Sequence, residues 1–149
     1  MQESGLDAAV CSPAGACGVM QVMPATWAEI QRALGWRNVS PFSARHNIFG
    51  GVYYQARMDR VWSGRARSVF AAHQLGLASY NAGPGSILLA QAQCGDARFW
   101  PEIAPCMPSV TGAVNAKQTS DYTRLIGRWR IAMAVPCRWS GHIGGCKRP

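Results

Sequence analysis

The chain has 149 residues, 48% of them hydrophobic and 15% charged, and 15 Lys and Arg against 7 Asp and Glu give a formal net charge of +8. That length fits one domain around one core, and the composition excludes both a disordered chain and a membrane-spanning one, because no apolar run approaches the roughly 18 residues of a transmembrane helix. The positive balance favours polyanionic partners such as nucleic acid, anionic lipid or acidic envelope polymers, but the arginines are scattered without a basic run or an interleaved aromatic platform, which argues against nucleic acid.

Along the chain, Met1-Gln2-Glu3 has no basic stretch, apolar core or cleavage site, so no secretory leader is visible. Cys11 and Cys17 form the first of three sequence-local cysteine pairs, with Cys94 and Cys106, and Cys137 and Cys146. The even count favours neighbour-to-neighbour disulfides and an oxidising compartment such as the periplasm, against the alternative of free buried thiols in a cytosolic protein. No CxxC occurs, and His142 between the last two cysteines lacks a fourth ligand nearby, so neither a metal site nor a cofactor is expected.

Pro24, Trp27, Ile30 and Leu34 fall at helical spacing before Gly35, predicting a helix over 24–34. Ile48, Val52 and Ala56 continue the period and predict a helix from about 45 to 62, in which Gly50-Gly51 marks close backbone packing. A third helix is expected over Ser68 to Asn81, ending at Gly83-Pro84-Gly85, and a fourth from Ser86 to about Gln93. From Gly95 to Thr119, Pro101, Pro105 and Pro108 with the flanking cysteines read as a long stapled loop. A last helix is expected from Ser120 as N-cap, with Tyr122, Leu125, Ile126, Trp129 and Met133 on one face before Pro136. The fold class is mainly α, with few or no strands.

Five short motifs follow one another: Glu3-Ser4-Gly5, Gly18-Val19-Met20-Gln21-Val22-Met23-Pro24, Asn47-Ile48-Phe49-Gly50-Gly51, Ala78-Ser79-Tyr80-Asn81-Ala82-Gly83-Pro84-Gly85, and Tyr122 with Ile126. In this order they resemble the soluble-lytic-transglycosylase type of catalytic domain, glycoside hydrolase family 23, from residue 3 to about residue 133, and most closely its phage versions. The resemblance implies a goose-lysozyme-like fold with a cleft between helices. It also implies cleavage of the β-1,4 bond between N-acetylmuramic acid and N-acetylglucosamine in peptidoglycan, with a 1,6-anhydro product, in phage lysis or cell-wall remodelling.

Such cleavage needs a proton donor held in a poorly solvated site. Of the seven carboxylates the resemblance selects Glu3 as the catalytic residue, acid first and base second, the substrate's N-acetyl group standing in for a second carboxylate. It implies substrate-binding roles for Ser4, Met20, Gln21, Tyr80, Asn81, Gln118 and Tyr122: Ser4 beside the carboxyl, Met20 with Met23 packing the cleft floor, Gln21 facing the sugar, Tyr80 and Asn81 flanking the scissile bond, and the Tyr122 hydroxyl directed toward Glu3. Gly83 and Gly85 are read as present for backbone conformation alone. Gln118 stands where the family pattern has glutamate. His46, His73 and His142 match no motif.

Only two residues precede Glu3, whereas the family brings this residue in at the end of about three helical turns, and a nearby α-amino group would favour the ionised carboxylate. The expectation is that upstream residues are missing and that the chain as it stands has weak or no activity. The domain is placed at 1–135, with a basic Cys-containing tail at 136–149. Peptidoglycan strands are the expected partner, an anionic envelope surface a second, and the periplasm or the extracellular space the site of action. Two other readings are a non-catalytic glycan-binding or envelope-assembly module, and a basic helical domain binding DNA or membrane.

Overall fold

The computed structural model describes residues 7–134, with side chains through residue 130. Helix α1 (Pro24–Leu34) starts on a proline, whose fixed φ and missing N–H suit the first helical position. It stops at Gly35 in the left-handed conformation (φ 66°), where the Gly35 and Trp36 amides return to the Arg32 and Gln31 carbonyls as a Schellman cap. Its buried residues, Trp27 and Ile30, pack with Val22 into a small core against α2 (Ala44–Trp62). The paired glycines allow this approach: a Cβ at Gly50 would lie 2.9 Å from the Trp27 ring, and one at Gly51 would lie 2.6 Å from the Met20 Cβ.

Helix α3 (Val69–Ala82) runs between α2 and the last helix and is buried along most of its length. Ser68 caps it, its hydroxyl accepting from the Ala71 amide at 3.1 Å. The main core gathers Trp62, Leu75, Ile87, Trp100, Ile103 and Met107. The Trp62 indole N–H donates to the Ser79 hydroxyl at 2.8 Å inside it, so two fully buried polar groups satisfy each other.

Two regions differ from the sequence reading. Helix α4 (Pro84–Gln93) begins before Ser86, because Gly83 alone (φ 81°) makes the turn and Pro84 opens the helix. Residues 100–119 are not a loop. They form α5 (Trp100–Ile103), a 3-10 turn (Ala104–Cys106), α6 (Met107–Thr111) and the start of α7 (Ala113–Ala134). Pro101, Pro105 and Pro108 each fall in the first turn of one of these short elements, where a proline starts a helix.

Helix α7 begins at Ala113, and Ser120 lies inside it. Ala116, Thr119, Tyr122 and Thr123 make its buried stripe, and the Thr123 hydroxyl donates to the Thr119 carbonyl four residues back. Small and polar residues with internally satisfied hydroxyls give no hydrophobic period to read. Trp129, expected on the buried face, is 58% exposed.

Disulfides join Cys11 to Cys17 and Cys94 to Cys106, neighbour to neighbour, and no described cysteine is free. Cys137, Cys146, His142 and the tail lie outside the described residues. The described chain is mainly α. Its only extended pairing is two isolated bridges, Cys11 to Cys17 and Cys17 to Val22, and none of its helices is long and apolar enough to cross a membrane.

Candidate functional site

A cleft of about 400 Å³ opens where the segment before α1, the middle of α2, the C-terminal end of α3 and the middle of α7 meet. One wall is the loop closed by the Cys11–Cys17 disulfide, which contributes Ser12, Ala14 and Ala16. Hydrogen bonds between Ser12 and Ala16, and paired bonds between Cys17 and Val22, hold that loop as a compact double turn.

The turn Gly18 to Gln21 forms the adjoining wall. Gly18 has φ 78°, and a Cβ there would stand 2.4 Å from the Pro41 carbonyl and 2.5 Å from the Asn47 amide nitrogen, so no other residue fits without displacing the turn. Asn47, fully buried on α2, clamps this turn: its oxygen accepts from the Met20 amide at 2.7 Å and its nitrogen donates to the Cys17 carbonyl at 3.2 Å. Gln21 is held at φ 46°, an uncommon conformation for a residue with a side chain. Its side-chain nitrogen donates to the Val10 and Gly18 carbonyls at 3.0 and 2.9 Å. Both amide protons are spent on the backbone, which leaves the Gln21 side-chain oxygen as an acceptor for the cleft.

The opposite side comes from α3 and α7. The Tyr80 hydroxyl donates to the Met20 carbonyl at 2.9 Å, tying α3 to the Gly18–Gln21 turn. Asn81 accepts from the buried Thr119 hydroxyl at 2.9 Å, an orientation that leaves its NH2 group for the cleft. Gln118 and the buried Tyr122 line the same side. Met23, Thr26 and Tyr54 close the remaining end, the Tyr54 ring meeting the Tyr80 ring edge-on at 5.5 Å between centroids. Burial pushes the Tyr54 hydroxyl above its ordinary pKa near 10, outweighing a hydrogen bond with Thr26 that acts the other way.

Gln21, Tyr80, Asn81, Gln118 and Tyr122, far apart in sequence, thus share one cleft. Met20 differs: its side chain packs against Gly51, and it serves the site through its amide and carbonyl. Gly85 adopts no left-handed conformation, and a Cβ placed on it would meet nothing within 4 Å, so of the two glycines read as conformational only Gly83 is. Glu3 and Ser4 lie outside the described residues. None of the six described carboxylates lines the cleft. Asp7 caps Ala9, Glu29 pairs with Arg57, Asp59 with His73, Glu102 with Arg67, and Asp121 with Lys117 and Arg124. His46 meets Ser43 and the edge of Trp36.

The sequence reading missed Tyr54, Thr26 and the disulfide loop. Tyr54 was legible in principle, since it lies at i+3 from Gly51 and i+7 from Asn47 on the same helix face. A larger depression of about 820 Å³ lies at the other end of α3, among Asp59, Arg60, Arg67 and Arg130, and contains none of the motif residues.

The family model of the transglycosylase SLT domain matches residues 1–103. The chain belongs to the SLT domain family. Members of that family are lytic transglycosylases acting on peptidoglycan outside the cytoplasm. In this SLT domain the match takes in the disulfide loop, α1 to α4 and every cleft residue except Gln118 and Tyr122, which α7 supplies beyond it. No solved structure matches the chain.

Proposed function

We propose that this SLT domain cleaves the β-1,4 bond between N-acetylmuramic acid and N-acetylglucosamine without consuming water, and that Glu3 is its acid and base. The Glu3 carboxyl gives its proton to the glycosidic oxygen as the bond to C1 of the muramic acid breaks, and the neighbouring N-acetyl oxygen shields the cationic carbon. The C6 hydroxyl then attacks C1, its proton passes to the Glu3 carboxylate, and a 1,6-anhydro ring closes. The enzyme ends in the protonation state in which it began.

The observation that carries this reading is the pairing of polar groups in the cleft: Gln21 offers an acceptor and Asn81 a donor. An acetamido group presents the complementary set, an N–H and a C=O, so the two amides suit the N-acetyl groups of the glycan. Ser4 would hold the Glu3 carboxyl and Tyr122 would meet it across the cleft. The two disulfides and the net charge of +8 fit an oxidising compartment and an anionic wall, in the periplasm or outside the cell.

A non-catalytic glycan-binding module is the second reading, favoured by Gln118 lining the cleft where the family pattern has glutamate. Mass spectrometry of the products released from purified cell walls separates the two. Anhydro-muropeptides released by the chain and absent with Glu3→Gln support the enzyme; binding with no release supports the module; reducing ends overturn the proposed reaction.

A further inference from the structure

Helix α2 buries one face and leaves most of the opposite one open among the described residues, with Phe49 meeting the Trp36 ring at 5.8 Å between centroids. Along it Arg45, Ile48, Phe49, Val52, Ala56 and Arg60 recur at three- and four-residue intervals, all exposed. Phe49 is 59% and Val52 57% exposed, and Phe42, at 46%, extends the stripe just ahead of the helix. Apolar side chains thus form a continuous strip with a guanidinium at each end, about 22 Å apart at 1.5 Å per residue. Neither Arg45 nor Arg60 makes an ion pair among the described residues. The sequence holds no carboxylate between Glu29 and Asp59, while Arg32, Arg37, Arg45 and Arg57 fall in that interval.

We infer that this face docks on an anionic lipid surface, with Phe42, Ile48, Phe49 and Val52 entering the headgroup boundary and Arg45 and Arg60 reaching lipid phosphates. The charge pattern selects this occupant. A second copy paired through a two-fold axis would set Arg45 of one chain against Arg60 of the other, cation on cation. A nucleic acid would meet guanidiniums only at the two ends and an apolar strip where its phosphates run. A bilayer bearing anionic headgroups offers both an apolar layer and phosphate groups, which is the combination the stripe presents. The inference does not depend on turnover at the cleft, which is lined from α2 by Tyr54, not by stripe residues.

Co-sedimentation of the chain with vesicles of phosphatidylcholine alone, or of equal parts phosphatidylcholine and phosphatidylglycerol, tests it. Binding should be confined to the anionic vesicles. F49S/V52S should weaken it about tenfold or more, and R45Q/R60Q about 25-fold, near fivefold for each charge at the surface. V69S/F70S removes exposed apolar groups at the start of α3 and should bind as the parent does. Circular dichroism melts confirm that each variant is folded, as the exposure of the substituted residues leads one to expect. Equal binding to both vesicles, or F49S/V52S binding within about twofold of the parent, would overturn the inference. So would sedimentation of the chain as a dimer that F49S/V52S dissolves, which assigns the face to a second copy.

Discussion

Asn47 has no exposed surface, and both ends of its amide are committed to the turn that carries Gln21. Asn47→Ala would strand the Met20 amide and leave the Cys17 carbonyl with the Val22 amide as its remaining donor, and a group stranded in this way usually costs more than the bond itself contributes. The expected loss is about 2–4 kcal/mol in urea unfolding, with glycan binding falling further than stability because the Gly18–Gln21 turn moves. Tyr54 gives a pH signature. Its pKa is raised in the folded protein by burial, so the neutral phenol is favoured there. The stability this contributes is complete below the unfolded value near 10 and is lost as pH rises through the folded value. Thermal melts of Tyr54→Phe should therefore show a flatter alkaline limb than the parent, with little difference at neutral pH.

At the scale of elements, glycines with opposite surroundings should respond in opposite directions. Gly51→Ala drives a Cβ to 2.6 Å from the Met20 Cβ, a branch point that cannot swing away, and should cost about 1–3 kcal/mol through displacement of the cleft turn. Gly85, in the first turn of α4 with open space around it, should gain about 0.5 kcal/mol as alanine. Thermal unfolding of the two variants gives both signs. The disulfides divide similarly. Replacing either pair by serine should lower stability by about 2–3 kcal/mol, but only C11S/C17S should weaken muropeptide binding in calorimetry, because only that loop lines the cleft. Helices α1 to α3 were legible because large apolar residues mark their buried faces and Gly35 marks a stop. The beginning of α7 was not, because Ala116 and Thr119 bury a face that carries no hydrophobic period. Three prolines looked like breakers and instead open short helices.

Over the whole molecule, the motif order pointed to a single site, and the fold places Gln21, Tyr80, Asn81, Gln118 and Tyr122 around one cleft. Sequence could not say which amide group each side chain would show to a ligand, because that is settled by partners such as Thr119 and the Val10 carbonyl, distant in the chain. The most direct measurement is a titration of a Glu3→Gln chain with a muramyl oligosaccharide, following side-chain amide resonances by NMR. The account predicts shifts at Gln21, Asn81 and Gln118, while Gln74 and Gln91, outside the cleft, stay put. Saturable binding that shifts resonances around Arg60 and Arg67 and leaves those three amides unmoved would contradict it.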